Sequence, residues 1–131
     1  MAKKTINCEE IKKGTYVYWN ICTQAWNDFT VTIKDSKTGH VYFTGHKGET
    51  QSGSIVNISR GSELVQLESD SPILCIESSK SSELKASISA YNAVDNSGKT
   101  VGVGYNVCVE DSNDDDYNDL YINIIAWNKV G

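Results

Sequence analysis

Ten residues near the C-terminus hold a dense run of acidic side chains. They carry six carboxylates and two side-chain amides, and they are Glu110, Asp111, Ser112, Asn113, Asp114, Asp115, Asp116, Tyr117, Asn118 and Asp119. The formal net charge of the chain is −5, so with −6 in this run the remaining residues together carry about +1. Like charges this close repel one another unless a cation lies among them. Carboxylate and amide oxygens are the ligands that Ca²⁺ prefers.

The segments on both sides of the acidic run have the residue pattern of β-strands. Residues 101–109 alternate valine or tyrosine with small or polar residues, and residues 120–127 are mostly apolar and β-branched. Both patterns are typical of strands. A solvated acidic loop is the alternative for any such run. Because two strands hold this loop at both ends, we expect its oxygens to converge.

The run does not have the pattern of an EF-hand calcium loop. If that pattern begins at Asp111, then Asp116 stands where glycine is required and Ile122 where the bidentate glutamate is required. An EF-hand loop also lies between helices, whereas the flanking segments here are predicted strands. The number of potential ligands is high enough for two ions.

The sequence favours an all-β fold. Only 22% of its 131 residues are charged and one is proline, so we expect one domain over residues 1–131. Short alternating segments separated by Gly, Ser and Asp clusters predict an antiparallel β-sandwich of about nine strands. The predicted strands are residues 15–20, 28–34, 40–44, 54–59, 62–68, 72–77, 84–92, 101–109 and 120–127.

Composition also excludes several classes of function. A pI of about 4.9 without a basic stripe argues against nucleic-acid binding. No apolar run is long enough to span a membrane, and residues 1–4 are not followed by the apolar segment of a signal peptide. We therefore expect a cytoplasmic location or export by a non-classical route. The four cysteines lack the spacing of a zinc site, and we expect them to be reduced, with one disulfide of undetermined pairing as the alternative in an oxidising compartment.

Enzymatic motifs are missing from the sequence. The Gly-x-Ser-x-Gly and His-Glu-x-x-His patterns do not occur, and His40 and His46 have no nucleophile at a suitable spacing. Residues 97–100 resemble the end of a phosphate-binding loop, but Ala93 occupies the position of its first glycine. We therefore expect a binding protein and no enzyme.

The acidic run resembles the calcium loop of the two-calcium bacterial fucose/mannose-binding lectins. The shared pattern is Glu-Asp-x-x-Asp-x-Asp-Tyr-Asn-Asp, followed by an apolar strand and a terminal glycine. The resemblance implies a nine-stranded sandwich and two adjacent Ca²⁺ ions that bind sugar hydroxyls directly. The metal ligands that it implies are Asn20, Glu110, Asp114, Asp116, Asn118, Asp119 and, from a neighbouring subunit, the carboxylate of Gly131.

The resemblance also implies the residues that contact the sugar. Asp111 and Asp114 would accept hydrogen bonds from its hydroxyl groups, and residues 21–27 would form a loop beside it. Within this loop, Ile21, Cys22 and Thr23 would face the sugar, and we expect Ile21 and Thr23 to receive the methyl group of a 6-deoxy sugar. The partner is then a fucose- or mannose-type glycan, and a shared Gly131 implies a homodimer or a higher homo-oligomer.

Two other classes of function remain open from the sequence. In the first, Ca²⁺ only neutralises the loop and locks the last hairpin of a structural or adhesion domain that binds no sugar. In the second, the chain is a hydrolase that uses a pair of these carboxylates. The hydrolase has the least support, because the same carboxylates would be held ionised by Ca²⁺ and none could act as a general acid.

Overall fold

The computed structural model describes residues 1–49, 54–59 and 64–131. These residues form ten β-strands and no helix, and the predicted all-β class is confirmed. The strands are β1 (Ala2–Asn7), β2 (Tyr16–Thr23), β3 (Phe29–Lys34), β4 (Val41–Lys47), β5 (Val56–Asn57), β6 (Val65–Gln66), β7 (Ile73–Ser78), β8 (Lys85–Val94), β9 (Thr100–Glu110) and β10 (Leu120–Trp127).

The strands build two antiparallel sheets that pack on each other as the predicted sandwich. The first sheet has the order β1-β7-β3-β4, and the second has the order β5-β2-β10-β9-β8, with β6 also pairing to β2. A single cluster of buried apolar side chains lies between them. Within the described ranges, no helix is long and apolar enough to cross a membrane.

The alternation of side chains along each strand decides which residues form this core. In β10 every second residue from Leu120 to Ala126 is buried, and the intervening residues are half-buried. Strands β2 and β3 follow the same alternation. Fully buried side chains of the central strands include Val17, Ile21, Phe29, Val31, Ile33, Val107, Val109, Leu120, Ile122 and Ile124.

The nine predicted strands correspond to β2 through β10, and β1 was not predicted. Ala2 and Ile6 face the core, but Lys4 lies between them on the same face, so the sequence lacks the apolar alternation of a strand. The strand forms because its backbone pairs with β7 from Ala2↔Ser78 to Asn7↔Ile73. Of the predicted strand 62–68, residues 62 and 63 lie outside the described residues, and the rest contains β6.

Strand β2 extends further than the sequence indicated. It was predicted to end at Asn20, but it pairs with β10 as far as Thr23↔Leu120. The predicted loop over residues 21–27 is therefore wrong for its first three residues. Cross-strand pairing overrode the local signal, because Ile21 and Thr23 turn their side chains into the core.

The four cysteines are free thiols in this fold. Cys22 and Cys108 both pair with Tyr121, one from each neighbouring strand. Two strand spacings, about 9.6 Å, therefore separate their backbones. A disulfide between them would require a large backbone movement, since bridged Cα atoms lie within about 7 Å.

The register of the second sheet brings two loops to the same end of the sandwich. Thr23 at the end of β2 pairs with Leu120 at the start of β10, and Leu120 also pairs with Val109 in β9. At the same end, Glu110 pairs with Lys85 at the start of β8. The acidic loop (residues 111–119) and the loop after β2 (residues 24–27, here called the β2 loop) are consequently neighbours.

Candidate functional site

Glu110 is the centre around which the acidic loop is folded. It is the last residue of β9, and its side chain is fully buried. Its Oε1 accepts a hydrogen bond from the backbone N–H of Ser112 at 2.9 Å, and its Oε2 accepts one from that of Asp116 at 2.9 Å. The N–H of Tyr117 donates to the same Oε2 at 3.3 Å. A buried carboxylate therefore orders the loop from within.

The loop backbone adopts two conformations that ordinary side chains seldom take. Asp115 has a φ of 56° and Tyr117 a φ of 52°, both in the left-handed region that favours glycine. Such strain persists where the surrounding structure imposes it, and it is concentrated at functional sites. Here the hydrogen bonds to Glu110 hold the backbone in place on both sides of Asp116.

Four carboxylates converge in this loop. A ligand atom from each of Glu110, Asp114, Asp116 and Asp119 lies within 4.8 Å of the others. We call these four residues the acidic cluster. Glu110 is buried, Asp119 is half-buried, and Asp114 and Asp116 are exposed, so the cluster opens from the protein interior to the surface. The resemblance in the acidic run implied all four as metal ligands, and the fold brings their carboxylates together.

The ionisation of the cluster reflects this crowding. Burial is the largest cause that raises the pKa of Asp119, and with the nearby Glu110 and Asp111 carboxylates it brings that pKa to about 7, against the lowering effect of the Asp111 N–H. Glu110 also raises the pKa of Asp114. Burial works to raise the pKa of Glu110 itself, but hydrogen bonds from Asp119, Ser112 and Asp114 hold it below its usual range. Glu110, Asp114 and Asp119 therefore do not ionise independently.

The other predicted residues of the loop occupy distinct places around the cluster. With its amide oriented to donate, Asn118 Nδ2 lies 2.8 Å and 3.0 Å from the two carboxylate oxygens of Asp116. The backbone N–H of Asp111 donates to Asp119 Oδ2 at 2.9 Å, and Asp111 also accepts from Asn27. Asp115 points away from the cluster, and its Oδ1 lies 2.8 Å from Lys85 Nζ.

Asn20 does not lie where the prediction placed it. It pairs with Asn123 in the middle of β10, three positions before the end of β2. Its Oδ1 accepts a hydrogen bond from Ser59 at 3.4 Å. Three residues of strand correspond to about 10 Å, which separates Asn20 from the end of the sheet that carries the acidic loop. The prediction of Asn20 as a metal ligand is therefore wrong, because β2 runs on to Thr23.

Residues 21–23 do not form the predicted sugar-facing edge. Ile21 is fully buried and Thr23 is 2% exposed, so neither side chain can receive the methyl group of a ligand. The Thr23 hydroxyl instead donates to the backbone oxygen of Asp119 at 2.5 Å. Cys22 is half-buried and lines a separate groove of about 180 Å³ with Tyr117, Asn118 and other residues.

The β2 loop forms the second wall of the site, and no metal or sugar role was predicted for its residues 24–27. It shares an opening of about 400 Å³ with the acidic loop. The lining residues are Gln24, Ala25, Trp26 and Asn27 on one side and Asp111, Ser112, Asp114, Asp116, Asn118 and Asp119 on the other. The available signal was two amide residues, Gln24 and Asn27, just after a strand, but the predicted strand ended too early.

Gly131 lies far from the acidic cluster of its own chain. Strand β10 begins beside the acidic loop at Leu120 and ends at Trp127, which carries the chain about 25 Å away. Gly131 follows this far end and is exposed. Gly131 therefore contributes nothing to the acidic cluster of its own chain, and its predicted role as a ligand in trans stays a prediction.

Solved structures with the same fold include two bacterial lectins of similar length. The C-terminal domain of the lectin BC2L-C from Burkholderia cenocepacia covers 97% of this chain and 96% of its own, with a TM-score of 0.66 and 17% identity. A high-affinity mannose-binding lectin from Ralstonia solanacearum covers 92% of this chain and 94% of its own, with a TM-score of 0.63 and 16% identity.

A third structure and a family comparison complete these findings. The Chromobacterium violaceum lectin CV2L, solved in complex with α-methyl-fucoside, covers 92% of this chain and 99% of its own, with a TM-score of 0.56 and 16% identity. Curated protein sequences give no significant match. The family model described as fucose-binding lectin II (PA-IIL) matches residues 9–129, which confirms the resemblance seen in the acidic run. Because this match spans nearly the whole chain, the protein belongs to the fucose-binding lectin II (PA-IIL) family.

Proposed function

We propose that this lectin binds a fucose- or mannose-type monosaccharide at the acidic cluster in a calcium-dependent manner. The observation that carries the proposal is the convergence of Glu110, Asp114, Asp116 and Asp119 within 4.8 Å. Four carboxylates at this spacing repel one another strongly unless a cation lies among them. The fold places them at the surface end of the sandwich, where a ligand can reach them.

The donor set of the cluster suits Ca²⁺. Carboxylate and amide oxygens are hard ligands, and an irregular loop satisfies the loose coordination that Ca²⁺ accepts. Two Ca²⁺ ions would balance the four negative charges of the cluster. Glu110, Asp114, Asp116 and Asp119 would hold one ion, while Asp116, Asn118 and Asp119 would hold the other. When bound, the ions supply Lewis acidity that draws sugar hydroxyls into their coordination.

Gln24 would supply the additional amide oxygen that was predicted at Asn20. Its backbone N–H donates to the backbone oxygen of Asp119 at 3.3 Å, and it lines the same opening as the acidic cluster. The side-chain amide of Asn27 is already engaged by Asp111 at 3.2 Å. Gln24 is therefore the better candidate of the two for completing the second calcium position.

Asp111 and Asp114 are placed to accept hydrogen bonds from sugar hydroxyls. Asp111 is held by three contacts: its N–H donates to Asp119, its backbone oxygen accepts from Ser81 at 2.7 Å, and its Oδ2 accepts from Asn27 at 3.2 Å. The residue also lines the opening of the site. Hydrogen bonds from hydroxyls to ionised carboxylates are short and strong, and they fix the orientation of the ring.

The choice between fucose and mannose no longer rests on residues 21–23. Their buried side chains remove the apolar edge on which the expectation of a 6-deoxy sugar depended. The family description and the fucoside complex of CV2L support fucose, whereas the Ralstonia lectin supports mannose. Both sugars are therefore candidates, and both belong in the test.

A homodimer or higher oligomer is part of the proposal. The carboxylate of Gly131 would enter the acidic cluster of a second copy and add a negative charge beside the cations. The position of Gly131 beyond the far end of β10 supports this arrangement, because it leaves the C-terminus free of the site in its own chain.

The test is titration calorimetry with methyl fucoside and methyl mannoside in Ca²⁺, repeated with EDTA. We expect one or both sugars to bind in Ca²⁺ and neither to bind after chelation. Asp111→Asn should weaken binding roughly 10- to 100-fold, the equivalent of a hydrogen bond to a charged group at about 1.5–3 kcal/mol.

Asp115→Asn is the matched control, since it removes the same charge from the same loop. Asp115 contacts Lys85 instead of the cluster, so its replacement should leave sugar affinity within about twofold. Asparagine also tolerates the left-handed backbone at this position. Sugar binding that persists in EDTA would contradict the proposal. Calcium binding without binding of any hexose would instead favour the structural or adhesion domain.

A further inference from the structure

Trp26 is the large apolar side chain that the fold leaves at the rim of the site. It is 65% exposed, whereas Trp19 is 2% exposed and lies in the core. A single exposed tryptophan is not in itself unusual. Two features distinguish Trp26: the backbone of its loop is held by hydrogen bonds, and its side chain shares an opening with the acidic loop.

A buried lysine holds the backbone on both sides of Trp26. Lys47 at the end of β4 is 7% exposed, and its ammonium donates hydrogen bonds to the backbone oxygens of Ala25 and, at 2.9 Å, Asn27. Burial lowers the pKa of Lys47, although the Asp111 carboxylate opposes this. Removing an ammonium group from water is costly unless it is well satisfied. The β2 loop is therefore fixed by a strong interaction at the two residues that flank Trp26.

The other side of the β2 loop is tied to the acidic loop. The N–H of Gln24 donates to the backbone oxygen of Asp119 at 3.3 Å, and Asn27 Nδ2 donates to Asp111 Oδ2 at 3.2 Å. These bonds lie before and after Trp26 in the sequence. Trp26 consequently has a defined place relative to the carboxylates, and it lines the same opening of about 400 Å³.

We propose that Trp26 is a stacking platform for a second sugar ring of an oligosaccharide whose terminal ring occupies the acidic cluster. The inference rests on the proposed function and deepens it. One face of a pyranose ring presents mainly C–H groups, which are attracted to the electron-rich face of an aromatic ring. The carboxylates accept hydrogen bonds from the hydroxyl groups of a sugar. An aromatic surface beside them adds a contact to its apolar C–H groups.

This arrangement sets the ligand class. A methyl glycoside places its methyl group where the next ring of an oligosaccharide would begin, and it leaves Trp26 uncovered. A disaccharide extends from the cluster across the opening and covers the indole. The lectin should therefore prefer fucose- or mannose-terminated oligosaccharides to the corresponding monosaccharides, and Trp26 should account for the preference.

The experiment compares methyl mannoside with mannobiose, and methyl fucoside with fucosylgalactose, by calorimetry in Ca²⁺. Trp26→Ala should weaken disaccharide binding about five- to tenfold, as expected for loss of one aromatic contact. Binding of the methyl glycosides should change by less than about twofold. Trp26→Phe should retain most of the disaccharide affinity. The substitution is at an exposed position, so the variants should fold.

A fluorescence measurement tests the same contact independently. Mannobiose should protect the tryptophan fluorescence of the wild-type protein from quenching by acrylamide. This protection should disappear in Trp26→Phe. It should persist in the control Trp127→Phe, because Trp127 is half-buried at the far end of β10. Equal affinities of wild type and Trp26→Ala for the disaccharides would overturn the inference while leaving the proposed function intact. Equal losses for methyl glycosides and disaccharides would also overturn it. Absence of any sugar binding by the wild type would overturn both.

Discussion

Removing one negative charge from the acidic cluster should destabilise this protein in Ca²⁺ and stabilise it after the Ca²⁺ is removed. We consider Asp119→Asn, which neutralises one member of the acidic cluster and keeps its shape. The asparagine oxygen can still accept the hydrogen bond that Asp119 Oδ2 receives from the Asp111 N–H at 2.9 Å. In Ca²⁺ the substitution removes a ligand. In EDTA it removes a source of repulsion.

The size of each effect follows from the geometry. Ca²⁺ at a thousandfold excess over its Kd stabilises the native state by about 4 kcal/mol. At about 2.1 cal/mol/K per residue, this corresponds to a shift of about 15 °C in Tm for 131 residues. Without the ion, two unit charges 4.8 Å apart repel by about 3 kcal/mol at an effective dielectric constant near 20. Solvent around the half-buried Asp119 screens much of this, so we expect about 1–2 kcal/mol, or about 4–8 °C.

Thermal unfolding followed by circular dichroism provides the assay, with four samples at pH 8 and moderate salt. The wild type should melt about 15 °C lower in EDTA than in Ca²⁺. Asp119→Asn should melt below the wild type in Ca²⁺ and above it in EDTA. Asp115→Asn, in the same loop but outside the cluster, should follow the wild type in both conditions.

The decisive result is the change of sign: the Tm of Asp119→Asn should lie below that of the wild type in Ca²⁺ and above it in EDTA. If Asp119→Asn is less stable than the wild type by the same amount in both conditions, then repulsion within the cluster does not limit stability. If EDTA leaves the wild-type Tm unchanged, then the acidic cluster does not bind a stabilising cation. Either result would refute the reasoning from the four converging carboxylates.

Two further predictions concern regions outside the cluster. Asp35 is 2% exposed, and burial works to raise its pKa, but hydrogen bonds from Thr38, Tyr42, Ser69 and Lys37 lower this pKa overall. The ionised Asp35 therefore stabilises the fold above its unfolded-state pKa of about 4, and this stabilisation is lost as the pH falls below that value. Asp35→Asn should cost about 2 kcal/mol at pH 7 and less at pH 3, and equal losses of Tm at both pH values would contradict this. If Gly131 acts in trans, a C-terminal tag should weaken sugar binding and shift the protein toward monomer in sedimentation, whereas an N-terminal tag should do neither; full activity of a monomeric C-terminally tagged protein would show that each copy completes its own site.

The amino-acid sequence determined those features that depend on neighbouring residues. The alternating segment 101–109 and the apolar segment 120–127 indicated two strands, because a strand exposes every second residue to the core wherever it lies in the fold. The acidic run between them indicated a cation site, because covalent linkage alone keeps its six carboxylates close together. The choice of Glu110, Asp114, Asp116 and Asp119 as ligands came from the resemblance of this run to the calcium loop of a known family, and that loop is likewise a run of consecutive residues.

The tertiary structure decided everything that depends on the pairing of distant segments. The register of β2 against β10 placed Asn20 away from the acidic loop and brought Gln24 beside it. No local pattern around residue 20 reports where its partner strand begins. The same pairing buried Ile21 and Thr23, and it changed which residues can contact a ligand.

The wall that carries Trp26 depends on contacts across three parts of the chain. Lys47 in β4, the β2 loop and Asp111 meet only after both sheets have formed. The sequence predicted that β4 ends at residue 44, so it did not place Lys47 beside the β2 loop. The Lys47 ammonium meets the two backbone oxygens, and Asn27 meets the Asp111 carboxylate, only when the sandwich brings them within hydrogen-bonding distance. Such a site depends on directions and distances that composition and spacing along the chain do not contain.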